Sequence, residues 1–169
     1  MKRILAVACG LSFCSIVAVA VAASGSGMSD QQFVDFAAQT DMVEANLGQF
    51  AQSAASSQDV KDYGQMLVTD HTDDYNKLYG IAQQAGLNVP NAIGAAQNKQ
   101  MIDPFQKLQG KAFDRRYAAE MIAGHTKAIA IYKKEAASAQ SPALKSYAEQ
   151  TLPTLEKHLD GAKNLQKGK

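Results

Sequence analysis

Residues 60–85 read VKDYGQMLVTDHTDDYNKLYGIAQQA, and their spacing decides the fold. Val60, Tyr63, Leu67, His71, Asp74, Leu78, Ile81 and Ala85 recur at steps of three and four. That pattern is one face of a long amphipathic α-helix. Gly86 supplies its C-terminal cap and Pro90 prevents continuation. One member of the face is unusual. His71 puts a titratable ring on a core stripe, with Asp70, Asp73 and Asp74 close by in sequence.

The same period extends on both sides. Upstream, Phe33, Phe36, Ala37, Thr40, Val43, Leu47, Phe50, Ala51 and Ala54 mark a helix running to about residue 55. Ser29 followed by Gln32 resembles a capping box, and Asp30 suits the positive end of the helix dipole. Downstream, 87–110 is less regular and accommodates a short helix before Asp103-Pro104, as a crossover or a cap over one end. A third helix, about 111–139, carries Phe113, Asp114, Tyr117, Met121, His125, Ala128, Tyr132 and Ala136 on one face. Ser141-Pro142 is a favourable start for a fourth, with Leu144, Tyr147, Ala148, Thr151, Leu155, His158, Leu159, Ala162 and Leu165. Pro153 inside it removes one backbone donor and predicts a kink. The sequence shows no alternating strand pattern. Four long helices with short first and third connections predict an all-α, antiparallel four-helix bundle over 29–166, with a short extra helix in the central connection.

The N-terminal residues bear on compartment. Met1-Lys2-Arg3, an apolar run and then small residues at Ala20-Val21-Ala22 have the layout of a secretory signal peptide over 1–22, followed by a flexible leader, 23–28. An uncleaved anchor is the alternative, since the run is nearly long enough to span a bilayer. The small residues at its end, with no basic cluster after it, favour cleavage. The expected location is therefore periplasmic or secreted, with outer-membrane association open and no mature transmembrane segment. Both cysteines, Cys9 and Cys14, lie in this leader, so the mature chain has neither a disulfide nor a thiolate metal site. The chain has 17 Lys and Arg against 16 Asp and Glu, without a basic block. That excludes nucleic acid as a partner.

The three histidines of the chain fall one apiece on the second, third and fourth helices. Antiparallel helices of similar length bring their midpoints to one level, and each residue adds only about 1.5 Å of rise. His71, His125 and His158 can thus converge in one layer. The first helix places Glu44 at its midpoint. Imidazoles suit zinc, iron, copper or nickel, and a carboxylate adds charge. These four residues are the candidate ligands of a single transition metal ion, with zinc or iron the first choice and no organic cofactor. Asp70, Asp74, Asp114, Tyr75, Tyr117 and Tyr147 are candidates to orient the rings. Taken singly, Asp70 and Asp73 fit solvated positions or pairs with Lys77, Asp114 fits a helix N-terminus, and the tyrosines fit packing. The methionines are too scattered for a copper-binding motif. A metal-free buried Glu/His hydrogen-bond network explains the same four residues.

The segments FVDFAAQTDMVEANLGQFA, VKDYGQMLVTDHTDDYNKL, LQGKAFDRRYAAEMIAGHTKAI and LKSYAEQTLPTLEKHLDGAKNL resemble the bacterial exported family DUF4142, over nearly all of the mature chain. The resemblance implies a bundle related to the ferritin-like superfamily, in the cell envelope, without a known reaction. Ferritin-like carboxylate enzymes carry Glu-x-x-His on two helices. Here Val68, Ile122 and Leu155 stand three residues before the histidines. That departure argues against di-iron oxidase or iron-storage chemistry and for one ion held by Glu44, His71, His125 and His158, with Asp74 as a substitute oxygen ligand. Three functions follow: a metal-binding bundle for storage, sensing or structure; a metal-free envelope interaction or stress-protective protein with a protein partner; and a mononuclear metal oxidoreductase. No G-x-S-x-G or P-loop motif is present.

Overall fold

The computed structural model describes residues 28–168; the expected signal peptide and all but Met28 of the leader lie outside the described residues. Helix α1 spans Asp30–Ala54 and α2 spans Gln58–Gln84. A connection containing α3 (Ala95–Gln97), a π-helical turn (Asn98–Ile102) and a 3-10 turn (Asp103–Phe105) leads to α4 (Gly110–Ser138) and α5 (Pro142–Lys167). No strand occurs among the described residues, and no helix there is long and apolar enough to cross a membrane.

Local chemistry sets the helix ends. The capping box forms: Gln32 N–H donates to Ser29 Oγ at 3.3 Å and Ser29 N–H donates to Gln32 Oε1 at 2.9 Å. At the end of α2, Gly86 turns left-handed at φ 70°. Its N–H donates to Gln83 O and that of Leu87 to Ala82 O, which satisfies the orphan carbonyls of the last turn. Ser141 caps α5, accepting from Leu144 N–H, with Pro142 in the first turn. Helix α5 continues through Pro153 as one element.

Helix α1 packs chiefly on α2, and α4 on α5; the two hairpins meet where α2 faces α5 and α1 faces α4. Two aspartates pin this arrangement reciprocally. Asp114, near the start of α4, accepts from the N–H groups of Ser56 and Ser57 in the first hairpin turn, at 3.0 and 3.1 Å. Asp30, at the start of α1, accepts from those of Gln140 and Ser141 in the second turn, at 3.1 and 2.8 Å. Thus α4 begins where α1 ends and ends where α1 begins. Each neighbouring pair is antiparallel, and the 85–109 connection must travel the length of the bundle. One long crossover of this kind is the connectivity of ferritin-like bundles.

The core has two apolar halves. One gathers Leu47, Leu67, Phe105, Phe113, Tyr117 and Met121. The other gathers Phe33, Leu78, Tyr132, Leu144, Tyr147 and Leu155. Helices α1 and α2 approach closely at paired glycines. A Cβ on Gly48 would sit 2.5 Å from Gly64 O, and one on Gly64 would sit 2.9 Å from Ala51 Cβ. Between the apolar halves lies a buried polar layer of Asp41, Glu44, His71, His125 and His158.

Candidate metal centre

Each histidine reaches this layer from its own helix, and a different acceptor orients each ring. On α4, His125 Nδ1 lies 2.8 Å from Met121 O, one turn back along the helix. A carbonyl only accepts, so Nδ1 carries the proton and Nε2 keeps its lone pair. On α5, His158 Nε2 lies 2.8 Å from Asp70 Oδ2 of α2. The carboxylate accepts from that N–H, and Nδ1 is left with the lone pair. On α2, His71 Nδ1 lies 2.9 Å from Asp41 Oδ1 of α1. With Asp41 ionised, Nδ1 is the donor and Nε2 is free; Nε2 is buried without a partner among the described residues.

The three rings cluster tightly. Centroids lie 5.2 Å apart for His71–His158 and His125–His158, and 5.8 Å apart for His71–His125. One ligand nitrogen from each falls within 4.8 Å of the others. His125 Nε2 lies 3.3 Å from His158 Nδ1. A tetrahedral ion with bonds of about 2.0–2.1 Å places its ligand atoms about 3.3 Å apart. All three side chains are buried, His158 to 0 % exposure.

Burial controls the charge. It pushes His125 down to about 3, reinforced by the charge of His71. It pushes His158 down to about 4 against the opposing bond to Asp70. Both rings are therefore neutral at physiological pH. Burial also pulls on His71, but the Asp41 bond and charge, with Glu44 and Asp74, outweigh it and hold this ring above its ordinary value. Desolvation pushes Asp41 up to about 7, so Asp41 and His71 behave as one coupled proton site.

Glu44 occupies the same layer but not the group of nitrogens. It is 4 % exposed, and its Oε2 has no partner among the described residues. Burial raises its pKa to about 7, against the pull of His71. Of the other expected orienting groups, Asp70 hydrogen-bonds a histidine ring; its bond to His158 replaces the expected solvated position or Lys77 pair, and Lys77 bonds Gln150 instead. Asp74 accepts from Tyr147 Oη–H and Thr151 Oγ1–H. Asp114 caps the first hairpin turn, and Tyr75 donates to Pro90 O at 2.8 Å. Tyr117 Oη has no partner among the described residues. Sequence reasoning missed Asp41. Its signal was the three-residue step to Glu44, which puts both acids on one side of α1.

This donor set fits a cation. Two neutral imidazoles face each other with lone pairs, a third ring nitrogen is buried without a partner among the described residues, and the carboxyl oxygens of Asp41, Asp70 and Glu44 belong to the surrounding helices. Orphaned buried polar atoms need an explanation, and a positive ion supplies one.

The sequence profile of the family described as "Domain of unknown function (DUF4142)" matches residues 17–165. The fold is similar to that of CopM in the Cu(II)-bound form, with a TM-score of 0.70 and 17 % identity, over 84 % of this chain and 98 % of that one. It is likewise similar to CopM in the Ag-bound form, obtained by co-crystallization, with a TM-score of 0.67 and 15 % identity over 83 % and 97 %. For the Cu(I)-bound form the values are 0.67 and 13 %, over 83 % and 97 %. No curated protein matches the sequence.

Proposed function

The chain belongs to the DUF4142 family, and from that footing we propose that it is an exported helical bundle binding one transition metal ion through His71, His125 and His158, with Glu44 as the fourth, oxygen-bearing residue. The observation that carries this reading is the 3.3 Å approach of His125 Nε2 to His158 Nδ1, both deprotonated and both anchored from behind. A metal-free network would place a proton between these atoms, yet each neutral ring has a single N–H, directed at Met121 O or at Asp70 behind it. An ion between them turns a repulsive contact into two bonds. Bonds from the far side of each ring, to Met121 O, Asp70 and Asp41, are the usual supports of metal-bound imidazoles.

Copper takes precedence over zinc and iron in this proposal. Structures of similar fold hold Cu(II), Cu(I) or Ag, and imidazole suits copper in both oxidation states. Three nitrogens and one buried carboxylate favour holding the ion over turning over a substrate. Export follows from the leader, and N-terminal sequencing of the mature protein tests it. The metal reading is tested by elemental analysis of purified protein equilibrated with copper, zinc or iron. About one copper ion per chain is expected, and none in His125→Ala. Protein that takes up no metal, or binds it equally well without His125, refutes the proposal.

A further inference from the structure

We propose that the pocket between α1, α4 and the connecting segment is the port through which a metal cation reaches the histidine centre, with Glu44 as the residue that receives it. This rests on the metal-centre reading above. The pocket has a volume of about 350 Å³ and is lined by Thr40, Val43, Glu44, Gln100, Met101 and Gly124, among others. Its wall thus contains a carboxylate that is 4 % exposed and has an Oε2 without a partner among the described residues. A buried carboxylate oxygen left unpaired is costly. A cavity beside it is where a cation offsets that cost.

Three further observations join this pocket to the centre. Gly124 contributes no side chain where one would interfere, since a Cβ there would lie 3.2 Å from Glu44 Oε1. On the inner side, the charge of Glu44 acts on His71, whose Nε2 is the unpaired nitrogen of the centre. On the outer side, the roof is the π-helical turn Asn98–Ile102, a geometry often found at functional sites. Gln39 fastens the connection below it, donating to Ala92 O at 2.9 Å and accepting from Gly94 N–H at 2.8 Å. Beside Glu44, the amides of Gln39, Gln97 and Gln100 and the Met101 thioether, the lining carries one further acid and one base, Asp35 and Lys127.

The opposite opening, between α2 and α5, is less suited. It contains Asp70, Asp73 and Asp74 with Lys77 and Lys157, so lysine is present at both openings and the difference lies in whether a buried acid is left unpaired. Asp70 is engaged by His158, and both oxygens of Asp74 are engaged by Tyr147 and Thr151.

The test is stopped-flow loading of full mature protein with Cu(II), followed by tyrosine fluorescence quenching, with the end-point ion count measured separately. Gln100→Arg places bulk and positive charge at the exposed mouth; Gly124→Ala crowds Glu44. Both are expected to load at least tenfold more slowly than wild type, to the same end-point. Thr154→Arg, in the opposite opening, is expected to load at the wild-type rate. Wild-type loading rates in Gln100→Arg and Gly124→Ala, or slow loading in Thr154→Arg alone, overturn the port. Circular dichroism checks that each variant is folded, and the exposed Gln100 keeps the test valid if Gly124→Ala is not. A wild-type protein that takes up no Cu(II) refutes the metal centre itself, a result distinct from unchanged rates in the variants.

Discussion

His125 Nε2 and His158 Nδ1 face each other across 3.3 Å with a lone pair on each, because Met121 O and Asp70 have claimed the protons on the far sides of the rings. The metal ion proposed for this position has measurable consequences.

Metal binding is expected to stabilise the protein. A ligand at a hundred times its Kd adds about 2.7 kcal/mol. For a domain of this size that raises Tm by roughly 5–12 °C. Thermal unfolding with and without copper measures the shift, which should vanish in His125→Ala. An equal rise in that variant would show binding elsewhere.

The residues behind the rings should tune affinity without supplying a bond to the ion. Asp41→Ala and Asp70→Ala each remove the acceptor for a histidine N–H. Each is expected to weaken metal binding by about 10–100-fold, read by competition against a chelator of known affinity. Asp73→Ala, an exposed neighbour, is expected to leave affinity unchanged, which separates ring orientation from bulk surface charge.

Glu44 should make the metal-free protein less stable at high pH. Its folded pKa of about 7 exceeds the value of 4.5 expected for the unfolded chain. A raised folded pKa means that the folded state binds the proton more tightly. The associated stability is complete below the unfolded value and is lost as pH rises through the folded one. Glu44→Gln imitates the protonated form and escapes that loss. It is expected to exceed wild type by about 3 kcal/mol at most at pH 8, converging with it near pH 4. Urea midpoints of metal-free protein across this range decide the matter; parallel pH profiles for the two proteins would contradict it.

Glycines at the α1–α2 crossing should be intolerant while one at the surface is not. Gly48→Ala brings a Cβ to 2.5 Å from Gly64 O and 2.9 Å from Val68 Cγ2. Backbone cannot give as a flexible side chain does, so a loss of about 1–3 kcal/mol is expected. Nothing lies within 4 Å of a Cβ built on Gly80, and Gly80→Ala is expected to stabilise by about 0.5–1 kcal/mol through helix propensity. Chemical denaturation of both variants provides the comparison.

Helix boundaries were legible in the chain because their causes are local. Ser29 with Gln32, Gly86, and Ser141-Pro142 act on groups within a turn of themselves, so composition and spacing suffice to place them. The common level of the three histidines was also legible, since it depends only on helix length, rise and antiparallel order. Asp41 was not. The stripe drawn through Thr40 lies one residue away from it, about 100° around a helix. In the fold, Thr40 is half-buried and donates to Phe36 O at 2.8 Å, while Asp41 is buried against His71. Which of two adjacent residues faces inward depends on how far α1 is rotated against α2, and packing at Gly48 and Gly64 sets that rotation.

The sequence by itself determined four amphipathic rods, the caps at Ser29, Gly86 and Ser141, and three histidines at a shared height on three of the rods, because these follow from a 3.6-residue period and short-range hydrogen bonds. Only the tertiary structure decided which acid stands behind which ring. Asp70 meets His158 and Asp114 meets the first hairpin turn across different hairpins. Such partnerships depend on the rotation and lateral placement of whole helices, set by the summed fit of many buried side chains and not by any one segment.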